Sequence, residues 1–157
     1  MKMNRINYFP KVSIIILNWN GLKDTIECLE SLKKIIYPNY EVIIIDNGSK
    51  GNDADILENK YKDYIRLIRN KENLGFAGGN NIGIRYALSM LNPDYILLLN
   101  NDTVVDPNFL TELIKVAESN MQIGSCQPKI LFLHNKNIIN NIGINVYKDG
   151  SATNNIT

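Results

Sequence analysis

The sequence predicts an α/β fold, an open and mostly parallel sheet with flanking helices. Four short apolar runs, Val12 to Leu17, Val42 to Ile45, Ile65 to Ile68 and Tyr95 to Leu99, are mostly continuous instead of alternating, as in strands buried on both faces. Between them lie segments of helical period: Leu22, Ile26 and Leu29 after the first run, and Ile84, Ala87, Leu88 and Leu91 after the third. Strand and helix therefore alternate along the chain, which is the pattern of a parallel sheet.

After the fourth run, Asp106 is placed to cap a helix and Pro107 to take its first position, with Leu110, Leu113, Ile114 and Ala117 as its apolar stripe. That leaves Asn100 to Val105 as a loop at a strand's carboxyl end. Ligands of open α/β sheets bind outside those ends, so the loops after Leu17, Ile45 and Leu99 are expected to share one crevice. Beyond Ala117 the runs Ile123 to Gln127, Ile130 to Leu133 and Ile142 to Tyr147 read as added strands or a hairpin between Asn-, Lys- and Gly-rich turns. The expected organisation is an extension over 1–10, one domain over 11–149 and a loose tail over 150–157.

Composition narrows the partners. A chain of 157 residues with 45% hydrophobic content is sized for one domain and one core. Lys and Arg number 17 against 16 Asp and Glu, so a net charge of +1 offers no footprint for nucleic acid. Cys28 and Cys126 have neither metal-ligand spacing nor the density of a disulfide scaffold, and read as two buried thiols in a reducing compartment. No apolar run approaches the roughly 18 residues of a membrane span, and Met1 to Pro10 lacks a signal-peptide stretch. The expectation is a cytoplasmic protein whose membrane contact is at most peripheral, at the inner face of the cell membrane, through the scattered Lys11, Lys33 and Lys34.

Four strand ends or loops carry chemistry. Leu17-Asn18-Trp19-Asn20-Gly21 sets an indole beside amides, which suits stacking on a flat base, and reads equally as a turn and helix cap made by Asn20 and Gly21. Asp46-Asn47-Gly48-Ser49 puts a carboxylate where a base N–H or ribose hydroxyl could donate to it, while Asp46 and Ser49 could instead only shape the turn. Asn73-Leu74-Gly75-Phe76-Ala77-Gly78-Gly79-Asn80-Asn81 leads into a helix and could bring N–H groups to a pyrophosphate, or be a surface loop. It is not the dinucleotide fingerprint, whose glycines belong after the first strand, so a Rossmann dehydrogenase is disfavoured. Last, Asn100-Asn101-Asp102-Thr103 ends an apolar strand, and Asp102 suits a hard divalent cation or a capped turn.

Taken together and in this order, these segments resemble the inverting glycosyltransferases of family 2 over about Lys11 to Tyr147, and within it the bacterial rhamnosyltransferase-like branch. The resemblance implies the nucleotide-diphospho-sugar transferase (GT-A) fold, here as the donor-binding part of a truncated catalytic domain. It implies a nucleotide-sugar site at Asn18, Trp19, Asn20, Asp46, Asn47, Ser49, Asn73, Gly75, Gly79, Asn80, Asn100 and Asn101, with Mg²⁺ or Mn²⁺ at Asp102. Asn18 and Trp19 would line the base pocket, Asp46 would contact the base, and Asn73, Gly79 and Asn80 would approach the ribose and phosphates. Asn100 stands where the family often carries the first acid of an Asp-x-Asp motif.

The implied reaction moves a sugar with inversion from a dTDP- or UDP-sugar to a saccharide or lipid-linked acceptor, in polysaccharide or cell-wall synthesis. Inversion needs a carboxylate to deprotonate the acceptor. The only acid after Glu118 is Asp149, a weak candidate in a turn-like stretch, and His134 reads as a surface residue. The catalytic residue is therefore unassigned, and a nucleotide-binding module without turnover stands as the second reading.

Overall fold

The computed structural model describes residues 8–141, 144–146 and 152–154. The chain divides into two compact units, Met1–Pro107 and Asn108–Thr157.

The first unit is built on strands β1 (Val12–Asn18), β2 (Tyr40–Asp46), β3 (Ile65–Arg69) and β4 (Tyr95–Asn100) in the order β3-β2-β1-β4. All three pairings are parallel. Register brings the strand ends level, Leu17 opposite both Ile45 and Asn100, and Asn18 opposite Asp46. The chain steps outward from β1 to β3 and then returns to the other side of β1, which makes the β1/β4 junction the topological switch point.

Continuous apolar runs do bury both faces of the central strands: Ile14, Ile15, Ile16, Ile43, Ile44 and Ile45 are fully enclosed. At β4 the expectation is met only in part. This strand lies at the sheet edge, and Leu98 is 45% exposed.

Helix α1 (Leu22–Leu32) buries Thr25, Cys28, Leu29 and Leu32, a stripe displaced from the Leu22, Ile26 and Leu29 read from the sequence. Its N-cap is Gly21 with no side-chain cap bond, so Asn20 is not the cap. Helix α2 (Asp53–Tyr61) follows β2. Helix α3 (Gly75–Tyr86) begins inside the glycine-rich segment, whose residues are its first two turns and not a loop before it. Its last turns widen into a π-helical stretch, Ala87–Leu91, closed by left-handed Asn92. The change of period puts Ala87 in the core beside Ile15, Ile43 and Ile45 but leaves Leu88 58% exposed, against the expected stripe.

Two glycines allow α3 to lie close to the sheet. A Cβ at Gly79 would meet Leu17 Cδ1 at 2.4 Å, and one at Gly83 would meet Ile15 Cγ2 at 2.6 Å. Helix and strand thus meet almost backbone to side chain.

The second unit contains α4 (Phe109–Ala117) and two antiparallel pairs, β5 (Ile130–Phe132) with β6 (Asn135–Asn141) and β7 (Ile144–Val146) with β8 (Ala152–Asn154). Helix α4 starts two residues later than predicted, with Asn108 at its N-cap, so neither Asp106 nor Pro107 holds its expected position; Leu110 and Ile114 are its buried face. Ile123 to Gln127 is not a strand. The turn-like Asn135–Asn141 is one, because pairing with β5 outweighs the low strand propensity of asparagine. β8 falls within the segment read as a loose tail. His134 sits exposed in the two-residue turn between β5 and β6.

Candidate functional site

Strand order alone points to the carboxyl ends of β1 and β4, and a cleft of about 280 Å³ opens there. Leu17 and Trp19 line it from the end of β1, Leu98 to Asp102 from the end of β4, and Phe76 and Asn80 from the first turns of α3. Of the residues read from the sequence, Trp19, Asn80, Asn100, Asn101 and Asp102 are therefore brought together. Trp19 and Phe76, 53% and 63% exposed, offer two aromatic faces that a flat base could stack on. Sequence reasoning gives Phe76 no role, although its place between Gly75 and Ala77 in the motif is a usable signal.

The remaining motif residues build the frame beneath. Asn18, expected to line the base pocket, is fully buried. Its Nδ2 faces Asp46 Oδ1 at 2.9 Å, Ser49 Oγ at 3.1 Å and Asp53 Oδ2 at 3.2 Å, and its Oδ1 accepts from Thr25 Oγ1 at 2.8 Å. Asp46 is 5% exposed and also accepts from the backbone N–H of Ser49 at 3.2 Å. Each of its oxygens thus holds one such bond, which leaves lone-pair capacity for a further donor. Asn20 adopts a left-handed φ of 52°, which asparagine tolerates, and ties β1 to the next loop: its N–H donates to Ser49 Oγ and its Oδ1 accepts from the Lys50 N–H.

The side-chain amide of Asn47 is fully engaged within the protein. Its Nδ2 donates to Asn73 Oδ1 at 2.8 Å and to the Gly75 carbonyl at 3.2 Å, and its Oδ1 accepts from Asn70 Nδ2 and the Leu74 N–H. It clamps the turn that launches α3. Asn73 Oδ1 also accepts from the Gly75 N–H, so Asn73 and Gly75 shape that turn as well. Gly48 completes the clamp, with a φ of +74° and a position where a Cβ would come within 2.6 Å of the Glu72 carbonyl carbon. Gly48→Ala is expected to cost about 2–4 kcal/mol, from left-handed strain plus overlap with backbone, read from urea unfolding. A loss well below 1 kcal/mol would mean the turn is not locked there.

Electrostatically the cleft is spare. Asp102 is exposed and, among the described residues, is the only carboxylate that lines it. Among the described residues no group of three His, Cys, Asp or Glu side chains is placed to hold a metal ion. Mg²⁺ and Mn²⁺ bound with nucleotides keep waters and phosphate oxygens as most of their ligands and need one or two carboxylates, so Asp102 preceded by the amides of Asn100 and Asn101 fits such an ion. Cys28 lies behind this loop, its Sγ 3.8 Å from the Asn100 carbonyl oxygen. Burial pushes its thiol up to about 11, the Thr103 hydrogen bond opposes this, and nearby Asp102 adds to it. Cys28 is thus no nucleophile at neutral pH. Cys126, expected to be buried, is exposed.

Residues 13–149 match the Glycosyl transferase family 2 domain. The chain belongs to this family. It is 34% identical over 121 residues to the low-salt glycan biosynthesis hexosyltransferase Agl10 of Haloferax volcanii, a match covering 76% of this chain and 36% of that protein. Solved structures are similar in fold. The mannosyltransferase PcManGT from Pyrobaculum calidifontis, in complex with GDP-Man and Mn²⁺, superposes with a TM-score of 0.66 at 20% identity over 78% of this chain and 37% of that one. TarS 1-349 of S. aureus with UDP-GlcNAc gives 0.60 at 21% identity, over 78% and 41%. The fold of this family 2 chain is therefore GT-A, and the chain spans little more than a third of the relatives named here. Among the described residues, no helix is long and apolar enough to cross a membrane. Asp149 and the 1–7 part of the expected extension lie outside the described residues.

Proposed function

We propose that the cleft between β1 and β4 binds a nucleoside-diphosphate sugar together with Mg²⁺ or Mn²⁺, as the donor half of an inverting transfer to a saccharide or lipid-linked acceptor. The observation that carries this reading is the convergence of Trp19, Asn80, Asn100, Asn101 and Asp102 on one cleft at the switch point of a family 2 domain. Trp19 stacks on the base, and Asp46 receives a base N–H through its remaining lone pairs. Asn80, whose Nδ2 is held by the Phe76 carbonyl at 2.9 Å, leaves its oxygen for ribose. Asp102 holds the divalent ion, which supplies neutralisation of the charge that develops on the leaving diphosphate. The relatives support the class: a hexosyltransferase, a protein bound to GDP-Man and Mn²⁺, and one bound to UDP-GlcNAc. The Asn-Trp-Asn-Gly and Leu-Asn-Asn-Asp-Thr segments favour the bacterial rhamnosyltransferase-like branch, with a dTDP- or UDP-sugar as donor and synthesis of a cell-wall or other polysaccharide as the role, at the cytoplasmic face of the membrane.

A thermal-shift screen of dTDP, UDP, GDP and their sugars, with and without Mn²⁺, tests the reading. A ligand at a hundred times its dissociation constant adds about 2.7 kcal/mol of stability, so a clear metal-dependent rise in melting temperature is expected for at least one of them. No shift with any of them defeats the proposal. Asp46→Ala is expected to weaken the best of these ligands by about 1–3 kcal/mol in titration calorimetry, because a base donor loses its acceptor. Unchanged affinity would reduce Asp46 to a turn residue. One observation favours the second reading, nucleotide binding without turnover: apart from Asp102, no carboxylate lines the cleft among the described residues.

A further inference from the structure

A buried chain of hydrogen bonds runs from the end of β2 to the cleft, and its direction is determined by chemistry. Asp46 and Asp53 both face the Asn18 side chain, at 2.9 and 3.2 Å. A carboxylate accepts, so the end of Asn18 turned toward them is its NH₂, and its oxygen faces Thr25. That oxygen can only accept. The single hydroxyl proton of Thr25 is therefore spent on Asn18, at 2.8 Å, and toward Asn101, at 3.0 Å, Thr25 can only accept. The end of Asn101 turned toward Thr25 is thus its NH₂, and its carbonyl oxygen is the polar end left for the cleft that Asn101 lines. Thr25 and Asn18 are both fully buried, so water does not compete for these bonds. Gly21 closes the clamp, because a Cβ there would sit 2.6 Å from Asn101 Nδ2.

We propose that Thr25 is a positioning residue that, with Gly21, holds the Asn101 amide so that it presents an acceptor oxygen, not a donor, to the ligand beside Asp102. Such an oxygen suits a divalent cation or a sugar hydroxyl and is unsuited to a phosphate oxygen. The proposal rests on the nucleotide-sugar reading for its ligand but not for its geometry. It would also give Asn101 a use that its motif position alone does not reveal.

The test uses the 157-residue chain and three variants. Thr25→Val removes the hydroxyl at nearly constant shape, Thr25→Ser keeps it, and Gly21→Ala displaces only the flexible end of Asn101. In the free protein, the Asn101 side-chain NH₂ resonances are expected to be protected from exchange in the wild type and in Thr25→Ser, and to shift and lose protection in Thr25→Val and Gly21→Ala. Affinity for the UDP-, dTDP- or GDP-sugar that the wild type binds best, with Mn²⁺, is expected to fall about 10- to 100-fold in Thr25→Val and Gly21→Ala and to be restored in Thr25→Ser. Comparing the fall with and without Mn²⁺ separates an oxygen turned to the cation, whose loss vanishes without metal, from one turned to a sugar hydroxyl, whose loss persists for the nucleotide sugar. Gly21→Ala keeps the Thr25–Asn18 bond, so it decides the matter if Thr25→Val fails to fold. Wild-type affinity in Gly21→Ala, or unchanged Asn101 resonances in either disrupting variant, overturns the proposal. A wild type that binds none of these nucleotides defeats the reading of the site instead, while the resonances still decide whether the clamp exists.

Discussion

Asp102→Asn is expected to abolish the contribution of Mn²⁺ to nucleoside-diphosphate binding, a loss of about 10²-fold or more in affinity measured with metal, and to leave the melting temperature of the free protein nearly unchanged. The substitution keeps volume and removes the only charge that lines the cleft among the described residues. Because Asp102 is exposed, no buried partner is orphaned when its charge goes. Titration calorimetry with and without Mn²⁺ measures the effect. Metal-enhanced binding that survives in Asp102→Asn would place the ion elsewhere. The converse change, Asn100→Asp, adds a second acid at the rim, and stronger metal dependence is its expected result.

The second large effect concerns turnover. Incubated with labelled donor sugars, Mg²⁺ or Mn²⁺ and mixed saccharide and lipid acceptors, the 157-residue chain is expected to release sugar slowly to water and to transfer none at an enzymatic rate. A well-placed general base contributes about 10²- to 10⁴-fold, and alignment of the acceptor contributes more. Among the described residues, the side chains that line the cleft are apolar groups, amides, an indole and Asp102, and Asp102 is their one carboxylate. Robust transfer that disappears in Asp149→Asn would overturn this expectation and make Asp149 the base.

Features whose signal lies within one segment are legible in the sequence, and features that arise between segments are not. Strands β1, β2 and β4 are readable because an apolar run that stops abruptly at Asn18, Asp46 or Asn100 marks both a strand and its ligand-facing end. The cleft residues Trp19, Asn101 and Asp102 are readable for the same reason, and Asn80 through the glycine-rich segment that opens α3. Roles that depend on tertiary partners are hidden. Nothing local distinguishes Asn18, whose amide points inward to Thr25 and Asp46, from Trp19, whose ring is exposed. Asn47 resembles a ligand residue, yet four protein groups occupy its amide. Thr25 carries a usable signal as a polar residue three and four positions before Cys28 and Leu29 on the buried face of α1. The π-helical turn at Ala87–Leu91 defeats a 3.6-residue period, and β6 defeats a propensity argument because its stability comes from pairing with β5.

The most direct test of the central claim is an NMR titration of the isotopically labelled chain with the tightest-binding nucleotide sugar, first with Mg²⁺ and then with Mn²⁺. Shifts are expected at the Trp19 indole N–H and at the amides of Asn80, Asn100, Asn101 and Asp102, with paramagnetic broadening by Mn²⁺ centred on Asp102 and absent in Asp102→Asn. Shifts confined to other surfaces of the chain, or broadening that ignores the Asn100 to Thr103 loop, would contradict it.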